Sequence, residues 1–185
     1  VRSDGLIKAN EEMTAWLRGD RSMPFGPNNE HVTVRLLDLE NPENNQYVVT
    51  TQFTIRAGPA ERRADLVLLV NGFPLVLIEA KTPVRKAVSW LDGALQIHDD
   101  YERNVPELFV ANVFSVASEG KELMYGSIRC PLKLWGPWRG DGEAAPGSLA
   151  ELKASISGLL LPAVILDLLA HFTLFATDDK SRRIK

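Results

Sequence analysis

Three ionisable residues, Asp65, Glu79 and Lys81, bracket two short apolar runs at 66–70 and 75–78. Between the runs lies Asn71-Gly72, a dipeptide suited to a two-residue hairpin turn. Folding the hairpin back brings its outer ends together, so Asp65 meets Glu79 although they are far apart in sequence. Glu79 and Lys81 are two apart on an extended strand and share one face. Two carboxylates and one ammonium therefore converge at one edge of a buried sheet. Burying charge is costly unless it is paired or metal-bound. The chemistry that fits is metal-assisted phosphodiester hydrolysis. Mg²⁺ takes hard oxygen ligands, typically one or two carboxylates with waters and phosphate oxygens. Asp65 and Glu79 supply such carboxylates, with the Ala80 carbonyl between them. Lys81 would orient or help deprotonate the attacking water and offset charge on the transition state. The competing reading is a structural Asp65–Lys81 salt bridge with Glu79 solvated, since Glu-x-Lys is common on strands.

The elements around these residues read as an α/β chain. Residues 6–18 show a helical pattern, ended by Gly19-Asp20, Pro24, Gly26 and Pro27. Residues 31–39 and 47–56 alternate as strands, separated by the turn cluster 41–45. The two runs of the hairpin are nearly continuous in apolar residues, as in central strands. After Thr82-Pro83 a helix is expected over 85–103, in which Gly93 would permit close approach to the sheet. Residues 108–117 read as a buried strand and 122–128 as an edge strand. Residues 131–147 read as a loop packed by Trp135 and Trp138, followed by helices at 149–161 and 163–172 and an open-ended charged stretch, 178–185. Helix, strands, helix, strands makes helices flanking a mixed sheet.

Composition narrows the function. A chain of 185 residues buries a sizeable core. One cysteine, Cys130, excludes an intramolecular disulfide and a cysteine-rich zinc site, and its expected role is buried packing. His31, His98 and His171 have no metal spacing, and His171 is expected in the core. Serine- or cysteine-nucleophile signatures and the dinucleotide fingerprint are missing. So is the Gly-x-x-x-x-Gly-Lys-Ser/Thr phosphate loop, which leaves no ATP-driven motor in this stretch. No secretory pattern opens the chain, and 159–170 is too short and interrupted to span a bilayer, so a cytoplasmic location is expected. The formal charge of −3 is unlike that of a self-sufficient DNA binder. Arg62, Arg63, Lys81, Arg85 and Lys86 nevertheless cluster beside the carboxylates, where they would reach phosphates.

The Asp65, Glu79, Lys81 arrangement resembles the motif of the PD-(D/E)xK nuclease superfamily. Its surroundings resemble one branch, the N-terminal nuclease domain of the R subunit of type I restriction-modification enzymes. The resemblance rests on residues 41–45 with Gln52-Phe53-Thr54-Ile55, on the hairpin 65–81, on 106–112 and on Ser118-Glu119-Gly120, which together cover most of 30–130. It implies a restriction-endonuclease-like sheet and a Mg²⁺-dependent DNA endonuclease domain at 1–145. Residues 146–185 would be a helical linker to a translocase motor absent from this stretch, which would make the chain an excised or truncated N-terminal domain. ATP would enter only through that motor. Implied partners are double-stranded DNA and the methyltransferase and specificity subunits. The resemblance adds Gln96 to the catalytic set. It also implies a glutamate on the first helix leaning towards the metal, Glu11 or Glu12.

Nucleases of this branch carry a Gln-x-x-x-Tyr pair on the following helix, reaching towards the DNA backbone. Here Gln96 and Tyr101 are five apart. At about 100° per residue, five steps separate them by about 140°, against about 40° for four. Either a π-bulge restores the pairing, or one residue contacts DNA and the other packs or caps the helix. The DNA-contacting set is therefore Arg85, Lys86 and Tyr101. The alternatives are another PD-(D/E)xK nuclease, in repair or linked to a helicase, and a catalytically silent docking domain.

Overall fold

A computed structural model describes residues 5–82, 84, 88–139, 144–179 and 182–185. Its centre is a six-stranded sheet in the order β3-β4-β5-β6-β7-β8, built from Tyr47–Ala57, Ala60–Val70, Phe73–Ala80, Phe114–Ser118, Leu123–Gly126 and Gly136–Pro137. All neighbours are antiparallel except β5 and β6. A parallel pair needs a crossover, and the helix beginning at α2 (Trp90–Leu95) provides it. The mixed sheet flanked by helices expected from the sequence is thus present.

The two sheet faces are covered differently. On one face α4 (Leu149–Leu159) and α5 (Pro162–Asp167) pack Leu152, Leu159, Ile165 and Leu166 against Val76, Phe114 and Val116, together with Leu17 from α1 (Leu6–Leu17). On the other, Ala94, Ile97 and Tyr101 pack against Ala64, Val67, Leu77 and Ala117. Each fully buried Val or Leu contributes about 1.5–3 kcal/mol relative to exposure. The helical segment expected from 146 onward therefore forms one layer of the same core. Among the described residues no single helix is long and apolar enough to cross a membrane, and the α4–α5 pair is bent by 56°.

Several local expectations give way. Residues 22–25 and 30–33 form a small hairpin, β1 and β2, in place of a strand over 31–39, because Gly26 and Asn29 take positive φ and turn the chain. The helix expected from Arg85 starts at Trp90. Ser89 caps it by accepting from the Leu91 N–H, while Asp92 accepts from the Ser89 N–H, a reciprocal capping box. Residues 106–109 are a 3₁₀ turn begun by Pro106, which shortens the strand expected over 108–117. β7 is not an edge, since Gly136–Pro137 pairs outside it. Trp135 is buried and Trp138 stacks edge-on with Tyr125, as the aromatic-packed loop required. His171 is exposed beside Asp167, and residues 183 and 185 of the charged end dock. Arg183 pairs with Glu11, and the Lys185 Nζ donates to the Asn112 carbonyl at 2.6 Å.

Candidate active site

Asn71 and Gly72 both take positive φ, 49° and 85°, the geometry of a tight hairpin turn. The register pairs Leu66 with Ile78 and leaves Asp65 and Glu79 one step further out. There the Asp65 Oδ2 accepts the Ala80 N–H at 3.0 Å. The Lys81 Nζ donates to the Glu79 Oε1 at 2.9 Å. The competing Asp65–Lys81 bridge is not what forms, and Glu79 is not solvated: it is 2% exposed. Burial pushes its carboxyl above the ordinary value, outweighing the hydrogen bond and charge of Lys81, while the charge of Asp65 adds to the rise. Its second oxygen, Oε2, is buried and without a hydrogen-bond partner among the described residues.

Gly93 is what lets the helix come this close. A Cβ there would lie 3.3 Å from the Glu79 carbonyl oxygen and 3.5 Å from the Glu79 Cγ. After Leu95 the helix widens into a π-helical segment, Gln96–Tyr101. The extra residue per turn brings the five-apart pair together, and the Gln96 Nε2 donates to the Tyr101 hydroxyl. The Gln96 Oε1 accepts from the Lys81 Nζ at 2.5 Å, and the Tyr101 hydroxyl donates to the Arg63 carbonyl at 2.9 Å. A continuous chain of hydrogen bonds thus runs from Glu79 through Lys81, Gln96 and Tyr101 to β4. Tyr101 is 2% exposed, and burial with the nearby Glu79 charge pushes its hydroxyl up to about 12, so it stays a donor. The Tyr101 hydroxyl, expected at the DNA backbone, is here turned inward to the Arg63 carbonyl. Gln96 is committed at both ends of its amide.

Other expected residues lie elsewhere. Glu11 pairs with Arg183 and Glu12 with Arg21, so neither leans towards the carboxylates. Asn10, beside them, is fully buried and donates to the Phe109, Val110 and Asn112 carbonyls. Arg62 is spent on Asp100 in a bidentate pair that fastens the π segment to β4. Arg85 and Lys86 lie outside the described residues. Cys130 is half-buried against the second core cluster. Sequence reasoning missed Gln52 as a site residue. Its Nε2 donates to the Asp65 Oδ1 at 3.3 Å, and no periodicity marks it.

The donor set fits a hard divalent cation. Two carboxylates meet at a strand end, and the buried Glu79 Oε2 has no other partner among the described residues. Among the described residues no group of three or more His, Cys, Asp or Glu is placed to hold a metal ion, so a cation here would rest on the two carboxylates and a backbone carbonyl. Residues 1–132 match the family described as the N terminus of the type I restriction enzyme R protein. The chain belongs to that family. Over 97% of its length it is 30% identical to the HindI endonuclease subunit of Haemophilus influenzae, of which it covers 18%. It is also 27% identical, over 80% of its length, to a Methanocaldococcus jannaschii protein named as the MjaVIIP endonuclease subunit, of which it covers 14%. The chain thus spans less than a fifth of these relatives. As an R-protein N terminus, its helix-flanked mixed sheet is of the restriction-endonuclease type, and membership supports an endonuclease role in a restriction system.

Proposed function

We propose that this chain is the Mg²⁺-dependent DNA-cleaving part of a cytoplasmic type I restriction complex. It hydrolyses phosphodiester bonds of double-stranded DNA after an ATP-driven motor outside this stretch has moved the duplex. The methyltransferase and specificity subunits of such a complex are its partners, and the specificity subunit reads the sequence. The observation that carries the reading is the buried Glu79 Oε2, which lies beside Asp65 and has no hydrogen-bond partner among the described residues.

Asp65, Glu79 and the Ala80 carbonyl would hold the metal. Bound there, Mg²⁺ supplies Lewis acidity and lowers the pKa of water. The rest falls to this chain's side chains. An ammonium has three N–H donors. Lys81 gives one to Glu79 and one to Gln96, and the third is aimed by those two bonds. It would hold the attacking water or a phosphate oxygen and offset charge as the bond to the leaving oxygen breaks. Gln96 and Tyr101 fix where that ammonium sits, so their part in catalysis runs through Lys81.

Asp65→Ala in the assembled restriction complex is the test. Loss of DNA cleavage with ATP hydrolysis retained is expected. Plasmid cutting at a near-normal rate would overturn the assignment and favour a docking domain.

A further inference from the structure

We propose that Gln52 is a positioning residue for Asp65: its left-handed backbone turns the strand pair at the site, and its side-chain amide holds Asp65 by one oxygen. The inference rests on the metal site proposed above and deepens it. The β3–β4 ladder pairs Thr51 with Leu66 and Phe53 with Ala64, but skips Gln52 and Asp65 between them. Gln52 has φ 55°, in the region that side chains other than glycine seldom adopt within a strand.

The faces of both strands exchange at this point. On the turn side of it, Val67 and Leu69 join the cluster beneath α2, while Leu68 and Val70 join the opposite one. Strict alternation would send Ala64 to the opposite cluster. Ala64 instead joins the α2 side, as do Ala60 and, from β3, Phe53, Ile55 and Ala57. One irregular pair therefore re-aims the strands where Asp65 stands, which is what bulge-like kinks next to active sites accomplish. Beyond it, Arg62 and the Arg63 carbonyl are placed to grip Asp100 and Tyr101.

The side chain does separate work. A carboxylate only accepts hydrogen bonds, so the amide nitrogen of Gln52 faces the Asp65 Oδ1. With the Ala80 N–H on Oδ2, Asp65 is gripped at both oxygens from two different strands. A ligand held by outer partners loses less freedom when it binds metal, and such partners commonly govern affinity.

Glycine adopts left-handed φ freely, so Gln52→Gly keeps the bend and removes the amide. Calorimetric titration of the 185-residue chain with Mg²⁺ should show Gln52→Gly binding about tenfold more weakly than wild type. Its melting temperature without metal should be unchanged or higher. Gln52→Val, β-branched and ill-suited to positive φ, should lower that temperature. A metal-free cycle of Gln52→Gly, Asp65→Asn and the double variant should be non-additive, by roughly two- to threefold in the folding equilibrium. Wild-type Mg²⁺ affinity in Gln52→Gly would overturn the proposal. If the wild-type chain takes up no Mg²⁺, the metal site itself falls. The cycle then decides Gln52, with additivity overturning its role and coupling upholding it.

Discussion

Glu79 and Glu102 are the two most deeply buried acids among the described residues, and they are treated in opposite ways. Glu102 is 1% exposed, and both its oxygens accept the Arg129 backbone N–H, at 3.2 and 3.0 Å. The Arg129 guanidinium lies 3.5 Å from the same carboxylate and donates to the Glu102 carbonyl. Glu79 is equally hidden, but one of its oxygens meets Lys81 and the other nothing among the described residues. Leaving a buried carboxylate oxygen unpaired costs on the order of 1–3 kcal/mol or more. A fully engaged acid braces a loop against a helix. A half-engaged one at a strand end is what a cation site requires.

The sharpest way to break this contrast is to remove each charge while keeping its shape. Glu79→Gln should reduce DNA cleavage by the assembled complex at least about a hundredfold, with ATP hydrolysis and melting temperature preserved or raised. Glu102→Gln should leave cleavage near wild type, and equal losses from both would erase the distinction. Truncation should reverse the order in stability. Glu102→Ala takes the acceptor from the Arg129 backbone N–H, while the guanidinium, more than a third exposed, turns to water, and about 1–3 kcal/mol of unfolding free energy should disappear in a urea titration.

A third expectation concerns pH. Burial raises the Glu102 carboxyl to about 7, so the folded chain holds that proton more tightly than the unfolded one. Its contribution is fully present below the ordinary carboxylate value and is lost as pH rises through about 7. Up to about 3 kcal/mol should vanish between pH 4.5 and 7.5, and Glu102→Gln should flatten that part of the stability profile. If the slope survives in Glu102→Gln, another group is responsible.

Smaller effects grade the hydrogen-bond chain. Gln96→Ala, which frees the Lys81 ammonium, should slow cleavage about 10- to 30-fold at saturating DNA. Tyr101→Phe leaves Gln96 in place and should cost about threefold. The reverse order would show that Tyr101 acts on DNA directly. On stability alone, Gly93→Ala presses a methyl against Ala117 and Glu79 and should cost about 1–2 kcal/mol in a urea titration.

What could be read from the sequence follows from how local each signal was. The Asn71-Gly72 turn and the apolar runs beside it fix the hairpin within a few residues, and the Asp65, Glu79, Lys81 convergence comes with it. The Gln96–Tyr101 spacing posed a choice that only hydrogen-bond geometry resolves, and the π segment resolves it. The start of α2 is written in Ser89 and Asp92, whose reciprocal cap outweighs the helix-starting tendency of the proline upstream. Gln52 was not legible, because nothing in a glutamine between threonine and phenylalanine foretells a left-handed backbone. That conformation is imposed by the strands on either side. His171 was misplaced because an apolar helix places some of its residues towards solvent.

One consequence follows from the arginine pairings on the β3–β4 arm. Arg62 is held in a bidentate pair by Asp100, and Arg56 meets Glu61 across the exposed arm, so each faces a carboxylate that a phosphate would have to displace. Each phosphate neutralised on duplex DNA contributes about −0.9 to the slope of log affinity against log salt. With these two arginines withdrawn, the 185-residue chain should show a shallow slope and weak retention of DNA in gel-shift titrations. If the proposed cleavage is right, cutting would then depend on how long the duplex is kept within reach, a residence time set by contacts outside this fold.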